Sequence, residues 1–115
     1  MPGWFSPRET VPDVVPAEVH QRQAAGEGLF LLDVREPYEY AEAHVAGSTL
    51  IPLGDLSGRL ESLPKDQPIV VICRSGNRSG AATRLLRQRG FATVHNMRGG
   101  IIAWVRGGLP VHRGR

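Results

Sequence analysis

The sequence predicts an α/β fold: a central, mainly parallel five-stranded sheet with helices on both faces. Two observations predict it. Strand-like and helix-like segments alternate along the whole chain, the order that parallel strands joined by helical crossovers require. The two most hydrophobic strand segments, 29–34 and 69–72, are apolar almost throughout rather than alternating. That is the pattern of strands buried on both faces. At 115 residues the chain is one domain, above the roughly 70–80 residues below which a core needs covalent or metal staples.

The elements follow in order. Residues 1–10 are rich in Pro, Gly and Ser and read as a flexible segment, with the domain proper spanning 11–111 and a basic tail at 112–115. Val11 to Val15 reads as a short strand. Pro16, with its preset φ, suits a first helical position, and Ala17 to Ala25 reads as a helix stopped by Gly26. Leu29 to Val34 is an apolar strand ending in charge. Pro37 introduces a short polar helix over 36–43, and Ser48 to Leu53 reads as another strand. Leu56 to Leu63 reads as a helix closed by Pro64. Ile69 to Ile72 is the most hydrophobic strand. After a polar loop, Gly80 to Arg89 reads as a helix whose apolar stripe is Ala81, Ala82, Leu85 and Leu86, with Gly90 as its stop. Phe91 to Asn96 is a last strand, and Ile101 to Arg106 a last helix, ended by Gly107 and Gly108.

The apolar fraction, 41%, is that of an ordinary globular domain. One cysteine excludes an intrachain disulfide and a resolving thiol in the same chain. The four histidines, His20, His44, His95 and His112, show no metal-ligand spacing, so no metal site is expected. The first residues lack a charged segment followed by an apolar one, so they are not read as a signal peptide, and no apolar run is long enough to span a membrane. The expected location is the cytoplasm. The net charge of +3 comes with thirteen Arg and a single Lys, which raises nucleic acid as a partner. The basic residues are dispersed, with no aromatic-rich basic stripe, so they read as a solvated surface and not as a nucleic-acid interface.

The chemistry is concentrated at Cys73. It closes the run Ile69-Val70-Val71-Ile72 and opens Cys73-Arg74-Ser75-Gly76-Asn77-Arg78-Ser79, which feeds a helix. A buried strand thus delivers a thiol into a short polar loop at a helix N-terminus. The loop amides, the positive end of the helix and the guanidiniums of Arg74 and Arg78 all favour a thiolate. A helix terminus alone moves the pKa by about one unit. The same pocket suits a small oxyanion. In parallel sheets the ligand site lies beyond the carboxyl ends of the strands, so the segments Asp33 to Glu36 and Cys73 to Ser79 should share one face of the molecule.

Four segments carry a resemblance to a known family. They are 31–40 (Leu-Leu-Asp-Val-Arg-Glu-Pro-Tyr-Glu-Tyr), 43–53 (Ala-His-Val-Ala-Gly-Ser-Thr-Leu-Ile-Pro-Leu), the loop 73–79, and 96–101 with Trp104 and Gly108-Leu109-Pro110. In this order and spacing they resemble the single-domain rhodanese sulfurtransferases. The resemblance implies a rhodanese-like fold, Cys73 as a catalytic sulfur carrier, and a substrate cradle made by Arg74, Ser75, Gly76, Asn77, Arg78 and Ser79. It implies transfer of a sulfane sulfur from thiosulfate or a persulfide to cyanide in vitro or a thiol in the cell, with no cofactor and with a sulfur-relay protein as a conceivable partner. Ala43, Ala46 and Leu50 depart from the family's usual residues, in a connecting segment away from the thiol.

Two other readings stand beside it. A cysteine phosphatase or arsenate reductase also uses a thiolate in an anion-binding loop. Only four residues separate Cys73 from Arg78 here, one fewer than in the phosphatase loop, which fits a single sulfur better than a phosphoryl group with three equatorial oxygens. A persulfide-sensing or adaptor module is the other reading, since fold alone does not fix activity. Among the remaining residues, His44 reads as a structural hydrogen-bonding group, Asp33 and Arg35 as a pair bracing the loops, and Trp104 as core. Gly99 and Gly100 read as permitting close backbone approach, and Ser79 as the cap of the helix after the loop.

Overall fold

The computed structural model describes residues 12–114. The segment 1–10, read above as flexible, lies outside the described residues. In chain order the elements are β1 (Asp13–Val14), α1 (Pro16–Ala24), β2 (Phe30–Asp33), α2 (Pro37–Glu42), β3 (Thr49–Leu50), α3 (Leu53–Leu56), a 3-10 turn (Leu60–Ser62), β4 (Ile69–Ile72), α4 (Asn77–Gln88), β5 (Val94–Met97) and α5 (Gly100–Arg106). The five strands form one sheet in the order β1-β5-β4-β2-β3, with every pairing parallel.

β4 shows why the sheet is covered on both sides. Ile69 and Val71 pack into one core with Leu32, Leu56, Leu86 and Phe91. Val70 and Ile72 pack into the other with Val19, Leu31, Met97 and Trp104. Successive strand residues face opposite ways, so an unbroken apolar run is what two helical layers demand. Each such side chain, fully buried, contributes about 1.5–3 kcal/mol. Trp104 is core as expected, and its indole N–H donates to the Pro110 carbonyl at 2.8 Å.

Three local readings change. The helix expected over 56–63 is replaced by a single turn, α3, followed by a 3-10 turn. The extended backbone of Pro52 starts α3 earlier than expected, and Ser57-Gly58 ends it, since Gly costs a helix about 1 kcal/mol relative to Ala. Helix α4 begins at Asn77 and not at Gly80, because Gly76 caps it with a left-handed backbone (φ 108°). Ser79 is therefore inside the helix and does not cap it. The buried face of α4 is Ser79, Ala82, Thr83 and Leu86, while Ala81 is exposed.

The carboxyl ends of β2 and β4 do lie side by side, Asp33 opposite Ile72, and the Val34 amide donates to the Ile72 carbonyl at 2.9 Å. The charged turn after β2 and the loop after β4 thus leave the sheet together. At the chain's end, His112 pairs with His44 in an antiparallel bridge, and the Gly114 amide donates to the Ala41 carbonyl at 2.7 Å. Among the described residues, no helix is long and apolar enough to cross a membrane.

Candidate active site

Cys73 follows β4 directly and is 1% exposed, the last member of the apolar core under the loop. The chain must turn sharply here. Gly76 makes the turn in its left-handed conformation and points its own amide back at the sulfur, with Gly76 N to Cys73 Sγ at 3.0 Å. The first turn of α4 then brings the Ser79 hydroxyl to 3.2 Å from Sγ.

The thiol is held below its ordinary pKa. Burial is the largest single influence and pushes it up; the Ser79 hydroxyl and the amides of Ser79, Gly76 and Ser75 together outweigh burial. The leading stabilisers are therefore hydrogen bonds to the sulfur rather than the loop arginines invoked from the sequence. A charged acceptor shortens and strengthens such bonds, which is how a nearly buried thiolate is tolerated.

The two arginines have separate fates. Arg74 is exposed beside the sulfur-bearing residue. The Arg78 guanidinium makes a two-pronged pair with Glu39 of α2, Nη1 to Oε1 at 2.8 Å and Nη2 to Oε2 at 2.9 Å. That pairing, aided by the Glu36 amide and by the charges of Arg78 and Arg35, holds the Glu39 carboxyl at about 2 against the pull of burial. The pair ties the turn after β2 to the helix after the loop. Ser75 and Asn77 are exposed on the loop, Ser75 contributing its amide to the sulfur and Asn77 opening α4.

The loop is fixed from beneath by α5. The amides of Ile101 and Ile102 donate to the carbonyls of Cys73 (2.8 Å) and Arg74 (3.2 Å). Gly100 makes this possible: a Cβ there would sit 2.4 Å from both carbonyl oxygens, and its φ is 61°. This is the close backbone approach that Gly99-Gly100 suggested. Asp33 and Arg35 form a buried pair (Nη2 to Oδ2, 2.8 Å), and Arg35 also donates to the Ala43 carbonyl at 2.7 Å. They brace the loops and do not face the sulfur. His44 is structural: its Nδ1 bonds the Tyr40 carbonyl at 2.8 Å and its ring stacks on Tyr40.

Two residues at the site escaped the sequence reading. Glu39 carries the ion pair just described. Asn96, on β5, accepts a hydrogen bond at Oδ1 from the Ser79 hydroxyl and donates from Nδ2 to Asp13 of β1 at 3.0 Å. A polar residue near the carboxyl end of a buried strand was the signal available, since Asn96 is aligned with Val71 of β4. Among the described residues, no group of three or more His, Cys, Asp or Glu side chains could hold a metal ion.

This combination of fold, loop and closing helix has a counterpart among known proteins. The family model described as "Rhodanese-like domain" matches residues 15–106. The chain belongs to the rhodanese-like domain family. A sulfurtransferase of Allochromatium vinosum is 43% identical over 91 residues, 79% of this chain and 85% of that protein. The thiosulfate sulfurtransferase of Pseudomonas aeruginosa is 31% identical over 96 residues, 84% of this chain and 86% of that protein. Among solved structures, a rhodanese-related protein from Thermoplasma volcanium superposes with a TM-score of 0.81 at 34% identity, covering 87% of this chain and 96% of that chain.

Proposed function

We propose that this rhodanese-like domain is a sulfurtransferase in which Cys73 carries a sulfane sulfur as a persulfide. The observation that supports it most is the convergence on Cys73 Sγ of the Gly76 amide at 3.0 Å and the Ser79 hydroxyl at 3.2 Å. These donors favour an anionic sulfur. In the first step the Cys73 thiolate attacks the outer sulfur of thiosulfate or of a persulfide. A new S–S bond forms, the donor's S–S bond breaks, and its electron pair leaves with sulfite or with a thiolate. The persulfide's terminal sulfur carries the negative charge, facing the amides of the loop 74–79. In the second step an acceptor, cyanide in vitro or a cellular thiolate, attacks that terminal sulfur and returns Cys73 to the thiolate. Covalent catalysis here divides one transfer into two easier ones.

The named relatives support sulfur transfer as the chemistry, and the Pseudomonas aeruginosa relative supports thiosulfate as a donor. Exposed Arg74 is the loop cation open to an anionic donor. Arg78 is committed to Glu39, which weakens the phosphatase reading, in which that arginine holds the phosphoryl group. The test is an intact-mass spectrum without reductant after mixing with thiosulfate, run in parallel on Cys73→Ala. We expect one added sulfur atom on the native chain, removed by cyanide and absent from the variant. An unmodified native chain with both thiosulfate and a persulfide donor, or hydrolysis of an aryl phosphate lost in Cys73→Ser, would overturn the proposal.

A further inference from the structure

The Ser79 hydroxyl has one proton and two acceptors. It lies 3.2 Å from Cys73 Sγ and is also in hydrogen-bond contact with Asn96 Oδ1. Both partners are buried, Cys73 1% exposed and Asn96 7%, and Ser79 is wholly buried between them. The Asn96 amide is not free to turn its nitrogen toward Ser79, because Nδ2 is engaged by Asp13 Oδ1 at 3.0 Å. An amide held this way presents only its oxygen, a pure acceptor, to the hydroxyl.

We propose that Asn96, oriented by Asp13, is a positioning residue that competes with the sulfur for the Ser79 proton. The hydroxyl thereby acts as a rotor that follows the charge on Cys73. The inference rests on the reading of Cys73 as a sulfur carrier. With a neutral thiol, S–H donates to Ser79 Oγ and the hydroxyl donates to Asn96 Oδ1. When the thiol proton leaves to solvent, the hydroxyl turns to the thiolate. In the persulfide, Sγ is neutral and the charge sits on the terminal sulfur, so the hydroxyl returns to Asn96. When the acceptor takes that sulfur, the S–S electron pair falls on Sγ and the hydroxyl turns back to meet it. Asn96 thus keeps the hydroxyl satisfied in each state where the sulfur does not need it, since a buried polar group without a partner is costly.

The ionisable groups on the elements around Cys73 include Arg84 and Arg87, farther along α4, and His95 of β5, paired with Val70 of β4. Arg74 and Arg78 stand in the loop and the first turn of α4, the latter paired with Glu39 of α2. Asp33 and Arg35 pair at the end of β2, Asp13 of β1 lies beyond Asn96 with Arg98 at 3.7 Å, and Arg106 stands on α5. None of them makes a direct contact with the Ser79 hydroxyl among the hydrogen bonds described.

Competition and simple structural support predict opposite signs. The readout is the pH midpoint of thiolate formation, followed by ultraviolet absorbance and by the rate of iodoacetamide alkylation. It is unambiguous because Cys73 is the only cysteine, and it needs no sulfur transfer, so it stands or falls apart from the proposed activity. Ser79→Ala removes a donor to the thiolate and should raise the midpoint by about one pH unit. Asn96→Ala removes the competing acceptor and should lower it, by roughly half a unit. In the Ser79→Ala background, Asn96→Ala should have no effect. Should Asn96→Ala fail to fold, Asp13→Ala, at the sheet edge, frees the amide to turn and should lower the midpoint only while Ser79 is present. A shift from Asn96→Ala or Asp13→Ala that persists without Ser79 is a field effect and overturns the proposal, as does a midpoint left unchanged or raised by Asn96→Ala or Asp13→Ala in the native background.

Discussion

At Cys73 the governing contest is between burial and hydrogen bonding. A sulfur 1% exposed should be a poor thiolate, and it is a better one than a free cysteine because three amides and one hydroxyl face it. Glu39 is the second residue where a contest of this kind is decided. Its carboxyl is lowered from 4.5 to about 2, first by the hydrogen bond from Arg78. A carboxyl whose folded pKa is depressed contributes stability above its unfolded pKa, and that contribution is lost as pH falls through the folded value. Glu39→Gln should therefore cost about 1–3 kcal/mol at pH 7, with wild type and variant converging near pH 2 in denaturant titrations. A difference that is independent of pH would show that the ion pair is not its source. Much of this scale was legible in advance. The loop spells out the thiol and the amides that follow it, but from sequence Ser79 reads as a cap, whereas a left-handed Gly76 moves the helix start three residues upstream.

Among the elements, α5 does for the loop what no residue of the loop can do for itself. Its N-terminal amides take the carbonyls of Cys73 and Arg74, and Gly100 lets the backbones meet. Gly100→Ala adds left-handed strain of about 1–2 kcal/mol to a clash at 2.4 Å with two backbone oxygens. We expect a loss of about 3 kcal/mol or more in thermal or denaturant unfolding. Sulfur loading measured at a temperature where the variant stays folded should fall roughly tenfold or more, from displacement of the loop. Native-like stability and loading would mean that α5 can withdraw without cost. The glycine pair was visible in the sequence as a close approach. Its partner was not, since Gly100 and Cys73 are far apart in the chain and only the β4–β5 pairing brings their elements together.

Across the fold, two groups among the described residues, His95 and Glu39, have lowered pKa values that bear on the acid response. His95 on β5 is lowered from 6.5 to about 4, chiefly by burial and then by the charges of Arg87 and Arg22. A histidine with a depressed folded pKa binds more protons when unfolded, so stability falls as pH drops from about 6.5 to 4. Glu39 extends the loss from about 4.5 to 2. Stability against pH should thus decline in two stages, and His95→Gln should flatten the first by about 1 kcal/mol while leaving the second. A single-stage decline below pH 4 would exclude the His95 contribution.

At the same scale, the sequence by itself determined the α/β class, the parallel sheet and the position of the thiol. Those follow from local facts: unbroken apolar runs, Pro and Gly at helix boundaries, and a polar loop after the most hydrophobic strand. It also placed the loops after β2 and β4 on one face, which the pairing of Asp33 with Ile72 bears out. Only the tertiary structure decided which side chains hold the residues around the sulfur in place. Asn96 reaches Ser79 from β5, Asp13 fixes Asn96 from β1, and Glu39 takes Arg78 from α2. Each of these pairs is separated by 17 residues or more along the chain, so no local propensity encodes it. Such contacts exist only once the order β1-β5-β4-β2-β3 has set the strands side by side.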